Sequence, residues 1–144
     1  MPDYKDNFHL INDGDDIIKV FNQKFDIIIS NQTLYFLDDK TLKKRLKEFF
    51  FLLNRGGYVL FTMMSREHYF SKYSIGVSNN GLEKISFSKN HRFSGKTPEV
   101  RFIESLDHMK ILFGAFKPLK LGFYDVSLCK EESANHYIFI GKKN

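Results

Sequence analysis

Residues 24–64 read KFDIIISNQTLYFLDDKTLKKRLKEFFFLLNRGGYVLFTMM, and this stretch decides the fold class. Residues 26–30 form an almost unbroken β-branched run, the pattern of a parallel strand covered on both faces. Asp38 and Asp39 follow at the place where a side-chain oxygen caps a helix and favours its positive end. Leu42, Leu46, Phe49, Phe50 and Leu53 then recur at helical spacing, with Lys43, Lys44, Arg45 and Lys47 between them. Residues 54–57 contain Gly56 and Gly57 and predict a helix-ending turn, glycine being free to adopt the left-handed conformation. Residues 58–62 predict a second buried strand. The whole is a β-α-β crossover, right-handed in nearly all known cases.

Outward from this unit, the 144 residues and 42% hydrophobic content suit one domain around one core. Sixteen Phe and no Trp mean that phenylalanine packing supplies much of the burial. No apolar run approaches the length that crosses a bilayer, and the N-terminus lacks a signal-peptide pattern, so no membrane association is expected. The single cysteine, Cys129, excludes an internal disulfide and points to a reducing compartment, with the cytoplasm as the expected location. The net charge of +5 is spread over residues 43–47, 84–92 and 142–143, which reads as solvated faces more readily than as a nucleic-acid surface.

On the N-terminal side, residues 8–11 form a short apolar run that predicts one strand. Residues 12–16 predict a turn around Gly14, and Asp15 and Asp16 are placed to cap a short helix over about 17–22. Three aspartates in four residues do not have the spacing of a calcium loop, and no metal is expected. On the C-terminal side, residues 65–99 are polar and aromatic. Ser78-Asn79-Asn80-Gly81 marks a turn and residues 82–87 a short strand, a hairpin within a long excursion of the kind that serves as a lid or substrate loop. A helix is predicted from near Ser105, with Met109, Leu112, Phe113 and Phe116 on its apolar stripe. Strands are predicted over 119–128 and 136–141, with a polar turn over 131–135 and antiparallel pairing between them.

The order and local sequences resemble the C-terminal part of a class I S-adenosylmethionine-dependent methyltransferase, across about residues 8–142. Phe25-Asp26-Ile27-Ile28-Ile29-Ser30 resembles the fourth strand of that family. Leu53-Asn54-Arg55-Gly56-Gly57-Tyr58-Val59-Leu60 resembles its L-x-x-G-G turn into the fifth. Residues 116–124 resemble the sixth strand and residues 136–142 the seventh. The fold class so implied is α/β: a partial Rossmann-like sheet of parallel strands ending in an antiparallel hairpin, with helices on both faces. The glycine-rich turn and the strand-ending acid that hold the cofactor in this family have no counterpart here, because the sequence starts at about the family's third strand. The 26–30 strand is then left with an open edge. Residues 8–11, another copy in a homo-oligomer, or a complementing N-terminal segment would cover it.

The resemblance implies S-adenosylmethionine as cofactor. Asp15, with Asp16 as the alternative, would accept from the adenine amino group, and Ile17 would pack on the ring. Ser30, Asn31, Gln32 and Thr33, at the C-terminal end of the fourth-strand match, would lie beside the reacting methyl, with Leu34 and Tyr35 walling the pocket. Capping for Asp15 and ordinary turn chemistry for Ser30 to Thr33 are the plainer readings. His68, Tyr69 and Tyr73, and also His91, are candidates for contact with a small-molecule substrate. Asn31 lacks the Pro-Pro-aromatic continuation of enzymes that methylate amino groups of nucleic acids or protein glutamine. Three functions remain on this sequence: a small-molecule methyltransferase or part of one, an inactive binding or assembly module of that fold, and a basic nucleic-acid-binding domain.

Overall fold

A computed structural model describes residues 8–12, 14–126 and 132–144. Residues 1–7, Cys129, Glu131 and the end of the strand predicted over 119–128 lie outside them. The central unit is as the sequence predicts: β1 (Phe25–Ser30), α2 (Asp39–Leu52) and β2 (Leu53–Met64), preceded by a one-turn α1 (Ile17–Val20). Asp38 caps α2, its carboxylate accepting from the Thr41 amide at 2.6 Å. β1 and β2 are parallel, with Ile28 opposite Val59 and Ser30 opposite Phe61.

The predicted turn at 54–57 is instead an irregular start to β2. The register jumps from Phe25–Leu53 to Ile27–Tyr58, and Gly56 takes a left-handed φ of 78°. The Gly56 amide donates to the Lys143 carbonyl, and the Lys143 amide to the Gly57 carbonyl, each at 2.9 Å. A Cβ on Gly57 would stand 2.9 Å from the Asp26 carbonyl oxygen, so only glycine permits this approach.

Downstream come β3 (Ser74–Val77), β4 (Glu83–Ile85), β5 (Glu99–Val100), α3 (Leu106–Leu112), β6 (Lys117–Asp125) and β7 (Asn135–Lys142). The main sheet has the order β1-β2-β7-β6, with β7 antiparallel to both neighbours. β6 begins earlier than predicted and admits Pro118, because it is an edge strand and the register slips at that proline. Ser105 caps α3, accepting from the His108 amide at 3.1 Å.

Phe61 and Phe139 face the helices from neighbouring strands. The Phe61 ring lies 5.7 Å from Phe49 of α2 and 4.9 Å from Phe113 at the end of α3, and Phe113 lies 5.1 Å from Phe139. These contacts place both longer helices on one face of the sheet. The expectation of helices on both faces is therefore met on one face only among the described residues. On the other face Ile27 is 59% and Ile29 65% exposed, and Tyr58 is also exposed. The strand expected to be covered on both faces is thus an edge strand with one bare face. Residues 8–11, predicted as a strand, have no regular structure and do not pair with it. Phe8 and Leu10 are exposed, and His9 instead packs edge-on against Phe21 at 5.0 Å.

Residues 65–99, expected as a lid or substrate loop, are built into the body of the protein. The predicted hairpin forms from β3 and β4, and β5 adds a third strand. Tyr69, Ile85 and Phe87 join Phe61 and Phe139 in one buried cluster. Arg66 fastens the segment through ion pairs to Glu83 at 2.5 Å and Glu104 at 2.7 Å, over the Phe102 ring. No helix among the described residues is long and apolar enough to cross a membrane.

Candidate functional site

β1 ends in a tight turn at the carboxyl edge of the sheet, the place where open α/β sheets receive ligands. Gln32 there has a φ of 54°, the single non-glycine residue with positive φ among those described. The strain is held from the neighbouring strand. The Gln32 amide donates to Thr62 Oγ1 at 2.7 Å, and that hydroxyl donates to Asn31 Oδ1 at 2.9 Å. The Ser30 and Thr33 hydroxyls bond each other at 2.6 Å, and Gln32 Nε2 donates to the Tyr124 hydroxyl at 2.9 Å.

Beyond this turn lies a cavity of about 260 Å³ whose lining includes Gln32, Tyr35, His68, Tyr69, Phe70 and His136. It draws on the end of β1, the helical turn after it, the segment after β2 and the start of β7. His68 and His136 are both buried, with ring centroids 5.1 Å apart and nearly perpendicular planes. Burial first, then the neighbouring His136, push the His68 imidazole down to about 4. Burial likewise lowers His136, against the opposing pull of the Ala134 carbonyl and Asp125. Both rings are therefore neutral at neutral pH. Burial, with Tyr124 beside it, pushes the Tyr35 hydroxyl up to about 12.

The hydrogen bonds select opposite tautomers. His68 Nδ1 accepts from the Phe70 amide at 3.1 Å, so its proton sits on Nε2. His136 Nδ1 lies 2.8 Å from the Ala134 carbonyl, which can only accept, so Nδ1 carries the proton and Nε2 a lone pair. That Nε2 is buried with no hydrogen-bond partner among the described residues.

Of the residues singled out in the sequence, Gln32, Tyr35, His68 and Tyr69 meet in the cavity lining. Ser30, Asn31 and Thr33 shape the turn beside it. Tyr73 and His91 do not line the cavity. His91 stacks on Phe87 and Tyr73 packs against it at a tilt, and His91 Nε2 is 3.0 Å from Glu132 Oε1. Leu34 is buried in the core. Asp15 accepts from the Asn12 amide at 2.7 Å, and Asp16 caps α1 at the Ile18 amide at 3.1 Å. Ile17 is buried and helps line a cleft with Ile28 and Phe49. Sequence reasoning missed His136 and Tyr124. The available signal was a polar ring opening the otherwise apolar strand HYIFIG. No group of three His, Cys, Asp or Glu side chains among the described residues could hold a metal.

No family model matches this sequence, and no curated protein matches it. Solved structures do match the fold. A SAM-dependent methyltransferase from Methanosarcina mazei superposes with a TM-score of 0.62 at 14% identity, over 84% of this chain and 60% of that one. One from Clostridium acetobutylicum gives 0.56 at 16% identity, over 86% and 60%. The 1,6-didemethyltoxoflavin-N1-methyltransferase of Burkholderia thailandensis, solved with 1,6-didemethyltoxoflavin and S-adenosylhomocysteine, gives 0.56 at 12% identity, over 84% and 44%. The chain thus spans about three fifths or less of the length of these proteins. The mixed sheet, its helices and these superpositions together give the chain the fold of the class I S-adenosylmethionine-dependent methyltransferases.

Proposed function

We propose that the chain serves S-adenosylmethionine-dependent methyl transfer to a small molecule, contributing the acceptor side of the site. The observation that carries this reading is the strained Gln32 turn at the carboxyl end of β1, opening onto a cavity lined by aromatic rings. A non-glycine left-handed residue costs on the order of 1–2 kcal/mol, and such strain clusters where a ligand needs the backbone so placed.

The fit of the described residues to the methyl donor is partial. Asp15 and Asp16 are engaged in local turns, although a carboxylate keeps further lone pairs for an adenine amino group. Gly14 is the lone glycine before Gly56, so no glycine-rich turn lets backbone approach the ligand closely. We infer that a homo-oligomeric partner or a complementing segment covers the bare face around Ile27 and Ile29 and supplies the remaining cofactor contacts. When bound, the cofactor supplies the electrophilic methyl group. This chain's residues position the acceptor and exclude water from it.

The second reading, an inactive binding or assembly module of the same fold, is favoured by the capping roles of Asp15 and Asp16. Calorimetric titration with S-adenosylmethionine and S-adenosylhomocysteine, with the solution mass measured alongside, separates the two. Micromolar binding by an assembled species supports methyl transfer. Absence of binding at millimolar ligand by every species present supports the module.

A further inference from the structure

His136 leaves the cavity chemically unfinished. Its Nδ1–H is spent on the Ala134 carbonyl, and its Nε2 lone pair is buried without a donor among the described residues. A buried acceptor left unpaired destabilises the fold, and a ligand donor would recover that loss. The ring is held firmly for such a role. Tyr124 stacks on it at 5.2 Å with planes 9° apart, His68 meets it edge-on at 5.1 Å, and Tyr35 lies 5.8 Å away.

The surroundings restrict what that donor belongs to. Phe36, Met64, Phe70 and Phe93 make much of the wall apolar. The volume of about 260 Å³ falls below the roughly 300–1,000 Å³ of sites for drug-sized ligands, so a one-ring molecule fits better than a nucleotide or peptide. His68, in the opposite tautomer, presents an Nε2–H in the same cavity, a donor to complement the acceptor. Burial keeps both imidazoles neutral, and the Arg92 guanidinium, which also lines the cavity, is already paired with Glu132 at 3.2 Å, so the lining favours a neutral ligand over an anion. The His136 Nε2 atom has no solvent contact, so the rings around it must part.

We propose that this cavity binds a neutral, planar one-ring molecule bearing an N–H or O–H donor, received by His136 Nε2, with His68 Nε2–H given to an adjacent acceptor. This names the substrate class for the methyl-transfer reading and rests on that reading for the reaction, though not for the binding.

The test is a titration of the full chain with 2-pyridone, whose N–H and carbonyl lie side by side, against N-methyl-2-pyridone, which lacks the donor. Calorimetry reads affinity, and ¹⁵N spectra of the histidine rings read the His136 Nε2 environment. Saturable binding of 2-pyridone is expected, with a shifted His136 Nε2 resonance. Affinity should fall roughly tenfold or more on N-methylation, equivalent to about 1.4 kcal/mol. His136→Phe, which keeps an aromatic ring against Tyr124, should show a similar loss. If that variant does not fold, the two pyridones on the unaltered protein still decide the matter. Equal affinity for both compounds, no saturable binding, or an unmoved Nε2 resonance (as when ordered water is the partner) overturns the proposal. Titration with S-adenosylhomocysteine keeps the two ideas apart. Binding of 2-pyridone by a protein that never binds S-adenosylhomocysteine sinks the methyl-transfer reading while supporting the pocket.

Discussion

Thr62 is the residue on which the Gln32 turn depends. Its single hydroxyl accepts from the Gln32 amide and donates to Asn31, and the side chain is buried. Thr62→Val keeps the shape and removes both bonds, leaving a backbone donor and a side-chain acceptor unpaired. A loss of about 1–3 kcal/mol in urea unfolding is expected. Thr62→Ser should retain most of the stability, and equal stability of the valine and serine variants would contradict the assigned role. His68 carries a second prediction at this scale. Between about pH 4 and its ordinary 6.5, the unfolded chain binds a proton that folded His68 refuses. Stability should therefore fall as pH drops through that window and be flat above it, by up to on the order of 3 kcal/mol. His136 contributes in the same direction, while Asp125 opposes both. Urea midpoints at pH 7.5 and 5 measure the fall, which should shrink in His68→Phe; an equally steep fall in that variant would assign it elsewhere.

At the scale of elements, the three small strands between β2 and α3 are structural. Ile85 is fully buried among residues of the main core, and the Arg66 ion pairs tie β4 to the segment before α3. Deleting residues 65–99 should abolish cooperative unfolding, as read by far-ultraviolet circular dichroism in urea. Survival of a sharp transition would return the segment to the status of a detachable lid. Ile85→Ala is the gentler version and should cost about 2–5 kcal/mol. Its polar and glycine-rich composition suggested a loose excursion because the apolar residues are sparse along the chain. They are effective because β3–β5 bring them to one side.

For the whole molecule, the bare sheet face is the dominant surface feature. Ile27, Ile29 and Tyr58 lie exposed beside an edge of β1 that no described strand pairs. An apolar face with open backbone donors and acceptors favours association. The purified chain is expected to sediment above its 17.0 kDa monomer mass, and Ile27→Glu with Ile29→Glu to sediment at that mass while still folding. Monomeric behaviour of the unaltered chain would show that no second copy covers this face.

The sequence by itself determined the central β-α-β unit, the later helix and the final strand pair, and their chain order, but not the irregular 8–11 segment or β3 and β5. A β-branched run, the Asp38-Asp39 cap, the helix start near Ser105, helical phenylalanine spacing and the 78–81 turn act over a few residues, so they are legible one window at a time. It also singled out Gln32, His68 and Tyr69, from the end of a strand and the start of an insert, and the structure brings these three together in one cavity lining. Tertiary structure decided the rest. His136 meets His68 only because β7 inserts between β2 and β6, an ordering set by long-range pairing that no local pattern encodes. The bare face of β1 was equally hidden, since a β-branched strand reads the same whether a neighbour covers it or not. Composition records which side chains favour burial; the packing of distant segments determines which are buried.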